Sequence, residues 1–132
     1  MPAKSNPISI HPMFGPGTQT LKGQNIISVP IKEAKKELTV AKELFQGANF
    51  VTIDAVEHDK KIAVILGLTH LMNLVFANII SKDEKMLLTE KMSGTTSRVQ
   101  KTLAESIMTD SPELIETIIS NPEIRRVAKE LW

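Results

Sequence analysis

Apolar positions in the first part of the chain come in short runs of differing period. Ile8-Ser9-Ile10 alternates and reads as a β-strand. Asn25-Ile26-Ile27-Ser28-Val29-Pro30 reads as a second strand, closed by Pro30, which cannot donate to a ladder. Glu33 to Gln46 changes period. Ala34, Leu38, Ala41 and Phe45 recur at helical spacing, while Lys35, Lys36, Lys42 and Glu43 take the other faces. Gly47 is placed to end that helix in the left-handed conformation. Asn49 to Ile53 reads as a third strand. Three strands and one helix make a poor domain alone, because a small sheet needs cover on both faces. The pattern therefore predicts a fragment, or a sheet completed by a partner.

From about Val56 the pattern is all helical. Asp54 and Glu57 have capping-box spacing at the start of a long helix. Ser81-Lys82-Asp83-Glu84 repeats that spacing and predicts a shorter helix after it. Gly94, flanked by Ser93 and Thr95-Thr96-Ser97, marks a break. A helix over Arg98 to Met108 follows, with Val99, Leu103 and Ile107 on one face. Asp110-Ser111-Pro112 and Asn121-Pro122 each place a capping residue before a first-turn proline and open two more helices. Leu114, Ile115, Ile118 and Ile119 pattern one; Ile124, Val127, Ala128 and Leu131 pattern the other.

The stretch from Lys61 to Ile80 is apolar nearly all round and close to the roughly 20 residues that span a bilayer. His70, Asn73 and Asn78 lie inside it, and each is costly in hydrocarbon unless paired. The reading is a central core helix, or one buried at a subunit interface, and not a membrane segment. The remaining composition narrows the classes. At 132 residues and 42% hydrophobic the chain is one domain or part of a larger protein. A net charge of +1 gives no basic footprint for nucleic acid. The absence of cysteine excludes disulfides, thiolate metal sites and a thiol nucleophile, and fits a cytoplasmic protein. Residues 1–7 have no apolar core, so they read as a short loop and not a signal peptide.

Candidate chemistry gathers at four residues. His11-Pro12-Met13-Phe14-Gly15-Pro16-Gly17 breaks every regular pattern, which predicts a sharp turn after Ile10 with His11 projected from a strand end. An imidazole titrates near physiological pH and suits proton transfer. His58 falls in a first helical turn, where anions are favoured. His70 falls mid-helix among apolar residues. On a uniform α-helix those two lie ~18 Å apart and ~120° around, so they share no metal ion, and a metal site is rejected. Arg98 is one of three arginines against 13 lysines, and a guanidinium grips a carboxylate bidentately. No G-x-G-x-x-G, P-loop or G-x-S-x-G segment is present.

Ile8-Ser9-Ile10-His11-Pro12-Met13-Phe14-Gly15-Pro16 closely resembles the catalytic-histidine segment of prephenate dehydrogenases. Glu57-His58-Asp59-Lys60, Thr69-His70 and Thr96-Ser97-Arg98 follow in that family's order. The resemblance covers roughly residues 8–120. It implies that His11 is the catalytic residue at the substrate's ring hydroxyl. It also implies that His58, His70 and Arg98 bind substrate, with Arg98 on a carboxylate. The reaction implied is the oxidative decarboxylation of prephenate, or its arogenate counterpart, in tyrosine biosynthesis. Three positions depart from patterns found in some relatives: Gly67 where they have a histidine, Pro16 where they have a threonine, and no evident aromatic near Leu114.

The fold expected is α+β. A short α/β piece over 1–55, the last strands of a Rossmann-like nucleotide-binding sheet, precedes an all-α substrate-binding and dimerisation domain over 56–132. NAD or NADP would be bound mainly by a domain absent from this chain, so its cofactor residues are unknown and the chain is expected to be inactive alone. The partners expected are a small dicarboxylate substrate and a second copy, forming a homodimer. The other reading is a non-catalytic helical dimerisation or interaction module.

Overall fold

The computed structural model describes residues 6–130. The predicted loop over the first residues, and Leu131 of the last helical pattern, lie largely outside that range. The chain divides into two compact units, Met1–His58 and Asp59–Trp132, each taken by itself below.

The first unit is a three-stranded sheet with one helix. Strands β1 (Ile10–Pro12), β2 (Asn25–Ser28) and β3 (Asn49–Thr52) lie in the order β1-β2-β3. β1 runs antiparallel to β2, with His11 opposite Ile27; β3 runs parallel to β2, with Ile27 opposite Val51. Helix α1 (Ala34–Leu44) makes the crossover from β2 to β3. A parallel pair needs such a crossover, and this is why the apolar period switches between the two strands. Ile26, Ile27 and Ser28 of the central strand are buried, as is Ala41 of α1. Gly47 supplies the left-handed residue, with φ 89°, in the turn into β3.

β1 differs from the reading of the sequence. Pairing does not stop at Ile10: it runs through His11 to Pro12, and the Met13 amide still donates to Asn25 O at 2.9 Å. The chain turns at Gly15–Thr18, where Thr18 N donates to Gly15 O at 3.1 Å, and neither Gly15 nor Gly17 has positive φ. The reason is the strand's place. β1 is an edge strand, and an edge tolerates a proline because one row of its N–H positions needs no partner.

The second unit is helical. A helical run over Ala55–Ile80 leads into it from the first unit and comprises α2 (Ala55–Ile62), a π-helical segment (Ala63–Leu68) and α3 (Thr69–Ile80). Then come α4 (Met86–Met92), α5 (Thr95–Met108), α6 (Pro112–Ile119) and α7 (Pro122–Lys129). The predicted caps are present at three starts. Asp54 Oδ1 accepts from Glu57 N, Ser111 Oγ from Leu114 N and Asn121 Oδ1 from Glu123 N. At α4 the cap is not Ser81, whose hydroxyl instead donates back to Asn78 O at the end of α3. The N-cap position is Lys85, without a side-chain cap; Asp83, two residues before it, accepts from Lys85 N at 2.9 Å and from the Thr89 hydroxyl, which ties the approach to the helix. α5 starts at Thr95, three residues before Arg98, so the serine and threonine stretch belongs to its first turn.

The long apolar run is not enclosed by the rest of the chain. Its buried stripe is Ala63, Gly67, His70 and Asn73. Ala63 packs with Ile124 and Val127 of α7, joined by Leu68 and Leu71. Val64, Ile65, Met72, Val75 and Ile79 are left exposed, Met72 at 53% and Ile79 at 62%. By length and composition the run could cross a membrane, but its inner stripe carries two polar residues with polar partners.

Candidate active site

His11 and His58 meet although 47 residues separate them. His11 Nδ1 lies 3.0 Å from His58 Nε2, with ring centroids 5.2 Å apart and planes tilted by 55°. This is an edge-to-edge hydrogen bond and not a stack. The β1–β2 register fixes the first ring: His11 sits one residue from the end of the paired strand, opposite buried Ile27. The start of α2 fixes the second. His58 N donates to Asp54 O at 2.9 Å, and the Asp54 side chain caps the same turn. Both rings are partly buried.

This setting alters the acidity of His11. Partial burial, and secondly repulsion from His58, hold its pKa below the ordinary 6.5. Both causes disfavour the charged ring, so at neutral pH His11 is an uncharged imidazole able to accept a proton.

His70 and Arg98 belong to the second unit. His70 is buried, and both its nitrogens have partners there: Leu66 O lies 2.9 Å from Nδ1, and Asp110 Oδ2 lies 3.3 Å from Nε2. Asn73, one turn on, extends this polar stripe. Its Nδ2 donates to Thr69 O and its Oδ1 accepts from Gln100 Nε2 of α5 at 2.7 Å. Asp110, Asn73 and Gln100 form polar support that periodicity did not reveal. Arg98 is exposed in the first turn of α5, and among the described residues its side chain has no hydrogen-bond or ion-pair partner. Its guanidinium is therefore available to an anion. The ~120° worked out for His58 and His70 assumed a uniform α-helix, which the π-helical Ala63–Leu68 interrupts.

Two further features bear on what can bind. Among the described residues no group of three or more His, Asp or Glu side chains could hold a metal ion. The turn from β2 into α1 does not fit a dinucleotide's phosphates. Its amides at Ile31, Lys32 and Glu33 all donate to the carboxylate of buried Glu37, at 2.7–2.9 Å. A second anion there would meet occupied donors and a like charge. An apolar cavity of about 340 Å³ beside α3 and α5, lined by Phe76, Ile80 and Met108, contains none of the four candidate residues.

No protein-family model and no curated protein matches the sequence. Solved structures do match the fold. An arogenate dehydrogenase from Synechocystis superposes with a TM-score of 0.63 at 13% identity, over 94% of this chain and 50% of that one. A Corynebacterium glutamicum protein assigned as a prephenate dehydrogenase gives 0.67 at 17% identity, over 94% and 43%. The prephenate dehydrogenase of Aquifex aeolicus gives 0.59 at 17% identity, over 94% and 49%. The chain spans about half the length of each of these structures, and it has the α+β fold of that portion of the prephenate and arogenate dehydrogenases.

Proposed function

We propose that this chain is the substrate-binding part of a prephenate or arogenate dehydrogenase, with residues 1–55 closing a nucleotide-binding domain and 56–132 forming the substrate and dimerisation domain. The observation that carries the reading is the His11–His58 contact, in a chain with the fold of that part of these enzymes. The reaction is the oxidation and decarboxylation of a ring dicarboxylate bearing a hydroxyl group. It needs a base at the hydroxyl and a cation at a carboxylate. His11, held uncharged by burial, serves as the base. Arg98, exposed and with no side-chain partner among the described residues, takes a carboxylate. His58, beside His11, and His70 are the further substrate-side residues that the resemblance implies. On this reading NAD or NADP is held mainly by a domain outside these 132 residues, and the occupied amides of the β2–α1 turn are consistent with that. The enzyme is cytoplasmic and assembles as a homodimer through the apolar face of the Ala55–Ile80 run.

Reconstitution tests this. The chain is assayed with prephenate or arogenate and NAD(P)+, with and without a separately expressed nucleotide-binding domain. The expected result is turnover only with the added domain, reduced roughly 10²–10⁴-fold by His11→Asn. If the complemented chain neither turns over nor binds either substrate by calorimetry, the reading fails and a non-catalytic interaction module takes its place.

A further inference from the structure

We propose that His58 is a positioning residue: its Nε2 accepts a hydrogen bond from Nδ1–H of His11 and so holds that ring in the tautomer whose Nε2 is an unprotonated base. The inference rests on the reading of His11 as proton acceptor.

Two ring nitrogens 3.0 Å apart must share a proton, because two lone pairs or two N–H groups would repel. Two arrangements satisfy this. In one, His58 donates from Nε2 and His11 accepts at Nδ1. A neutral His11 then carries its only proton on Nε2, and no basic nitrogen is left for substrate. In the other, His11 donates from Nδ1 and its Nε2 keeps a lone pair. Only the second leaves a base, and it requires His58 to be neutral with its own proton on Nδ1. The hydrogen bond made by one nitrogen of an imidazole decides which form the other takes. Free imidazole side chains favour the Nε2–H form, so His11 without this partner would mostly be in the unproductive tautomer.

The same contact serves the step itself. The substrate's hydroxyl proton moves to Nε2 of His11, its electron pair stays with the substrate oxygen, and His11 becomes an imidazolium. The Nδ1–H stays bonded to His58 Nε2 throughout, so the ring keeps its orientation as the proton arrives. His58 need not touch substrate for this. Its place is set by backbone: His58 N on Asp54 O at 2.9 Å and Glu57 N on Asp54 Oδ1 at 2.9 Å fix the first turn of α2.

The test is long-range ¹H–¹⁵N correlation NMR on the ¹⁵N-labelled full chain at pH 8, which distinguishes the two tautomers directly. The wild-type His11 ring is expected to be protonated at Nδ1. His58→Leu should shift it to the Nε2–H form, and His58→Glu, an acceptor-only side chain, should restore Nδ1–H even if the Leu variant folds poorly. With the nucleotide-binding domain added, His58→Leu should lower kcat about tenfold or more and leave KM within about twofold. A wild-type ring protonated at Nε2, or a tautomer indifferent to His58→Leu, overturns the proposal. If instead the dehydrogenase reading is wrong, the spectra keep the predicted pattern while reconstitution gives no turnover, so the two failures are distinguishable.

Discussion

Replacing Gly67 by alanine tests whether α7 is seated on the central helical run through that one missing side chain. Gly67 lies in the π-helical segment and is buried. A Cβ built there comes within 2.5 Å of Ile124 Cγ1, and closer still to Cδ1, while Ile124 Cβ stays 3.8 Å away. Carbon atoms rest at about 3.5–4.0 Å, so the overlap is about 1 Å or more. Ile124 cannot swing aside cheaply, because a β-branched residue in a helix has essentially one χ1 rotamer. Overpacking of this kind costs about 1–3 kcal/mol, and alanine recovers up to ~1 kcal/mol of backbone entropy. The expected net effect of Gly67→Ala is a loss of about 1 kcal/mol. Ile124→Ala alone opens a cavity and should cost about 2–5 kcal/mol. In that background Gly67→Ala meets only Cβ, so it should turn from destabilising to stabilising. The coupling between the two sites is then about 2 kcal/mol. Ile124→Val keeps a carbon at the Cγ1 position and should not relieve the clash. Urea unfolding of the four variants at one protein concentration measures this cycle. Additivity within about 0.5 kcal/mol would refute the packing argument.

Three further outcomes follow. The carboxyl of Glu37 is held below its ordinary 4.5 by the amides of Ile31, Lys32 and Glu33. Its contribution to stability is therefore present above pH 4.5 and lost as pH falls through the folded value; Glu37→Gln should lower the urea midpoint at pH 7 and flatten the acid limb. His11 acts in the same direction for a different reason. Its folded pKa lies below 6.5, so above pH 6.5 neither state is charged, and as pH falls the unfolded chain takes up the proton first. Stability should decline below pH 6.5, and His11→Asn should remove that part of the slope in pH-dependent unfolding. Sedimentation at micromolar concentration should give a dimer; Met72→Glu with Ile79→Glu, both on the exposed apolar face, should give a monomer, and a monomeric wild type would defeat the dimer reading.

Local signals were legible where the cause is local. Gly47 ends the α1 turn because only a residue at home in the left-handed region fits φ 89°. Ser111-Pro112 and Asn121-Pro122 open helices because side-chain oxygen and fixed φ act within three residues. The pairing of His11 with His58 was not legible, since a contact across 47 residues is made by the sheet register and the entry angle of α2, which no period encodes. Asp110 illustrates the same limit. Read as part of a capping sequence, it leaves that role to Ser111 and faces His70 from 40 residues away. Glu37 is a local contact that could have been found. A glutamate four residues after Glu33 at a helix start can reach back to free amides, but the Ala34, Leu38, Ala41 stripe drew the reading instead.

The central helical run shows why hydrophobicity alone misjudges burial. Counted along the sequence it is apolar all round, which predicts enclosure. Within this chain it turns small and polar residues inward (Ala63, Gly67, His70, Asn73) and large apolar ones outward. Each inward choice has a use: Ala63 and Gly67 let Ile124 approach, and His70 and Asn73 tie the run to Asp110 and Gln100. The inner face is thus specified by close approach and hydrogen bonding, and transfer free energy is left to the outer face. Ile65, Met72, Val75 and Ile79 recur there at seven, three and four residues, the period of a helix packed on another surface. At about 25 cal/mol per Å² of apolar area, leaving that stripe in water forgoes several kcal/mol, comparable to a small domain's whole stability. A second copy would offer an identical stripe, and closing it about a twofold axis would recover that energy, which is why the dimer belongs to the proposed function.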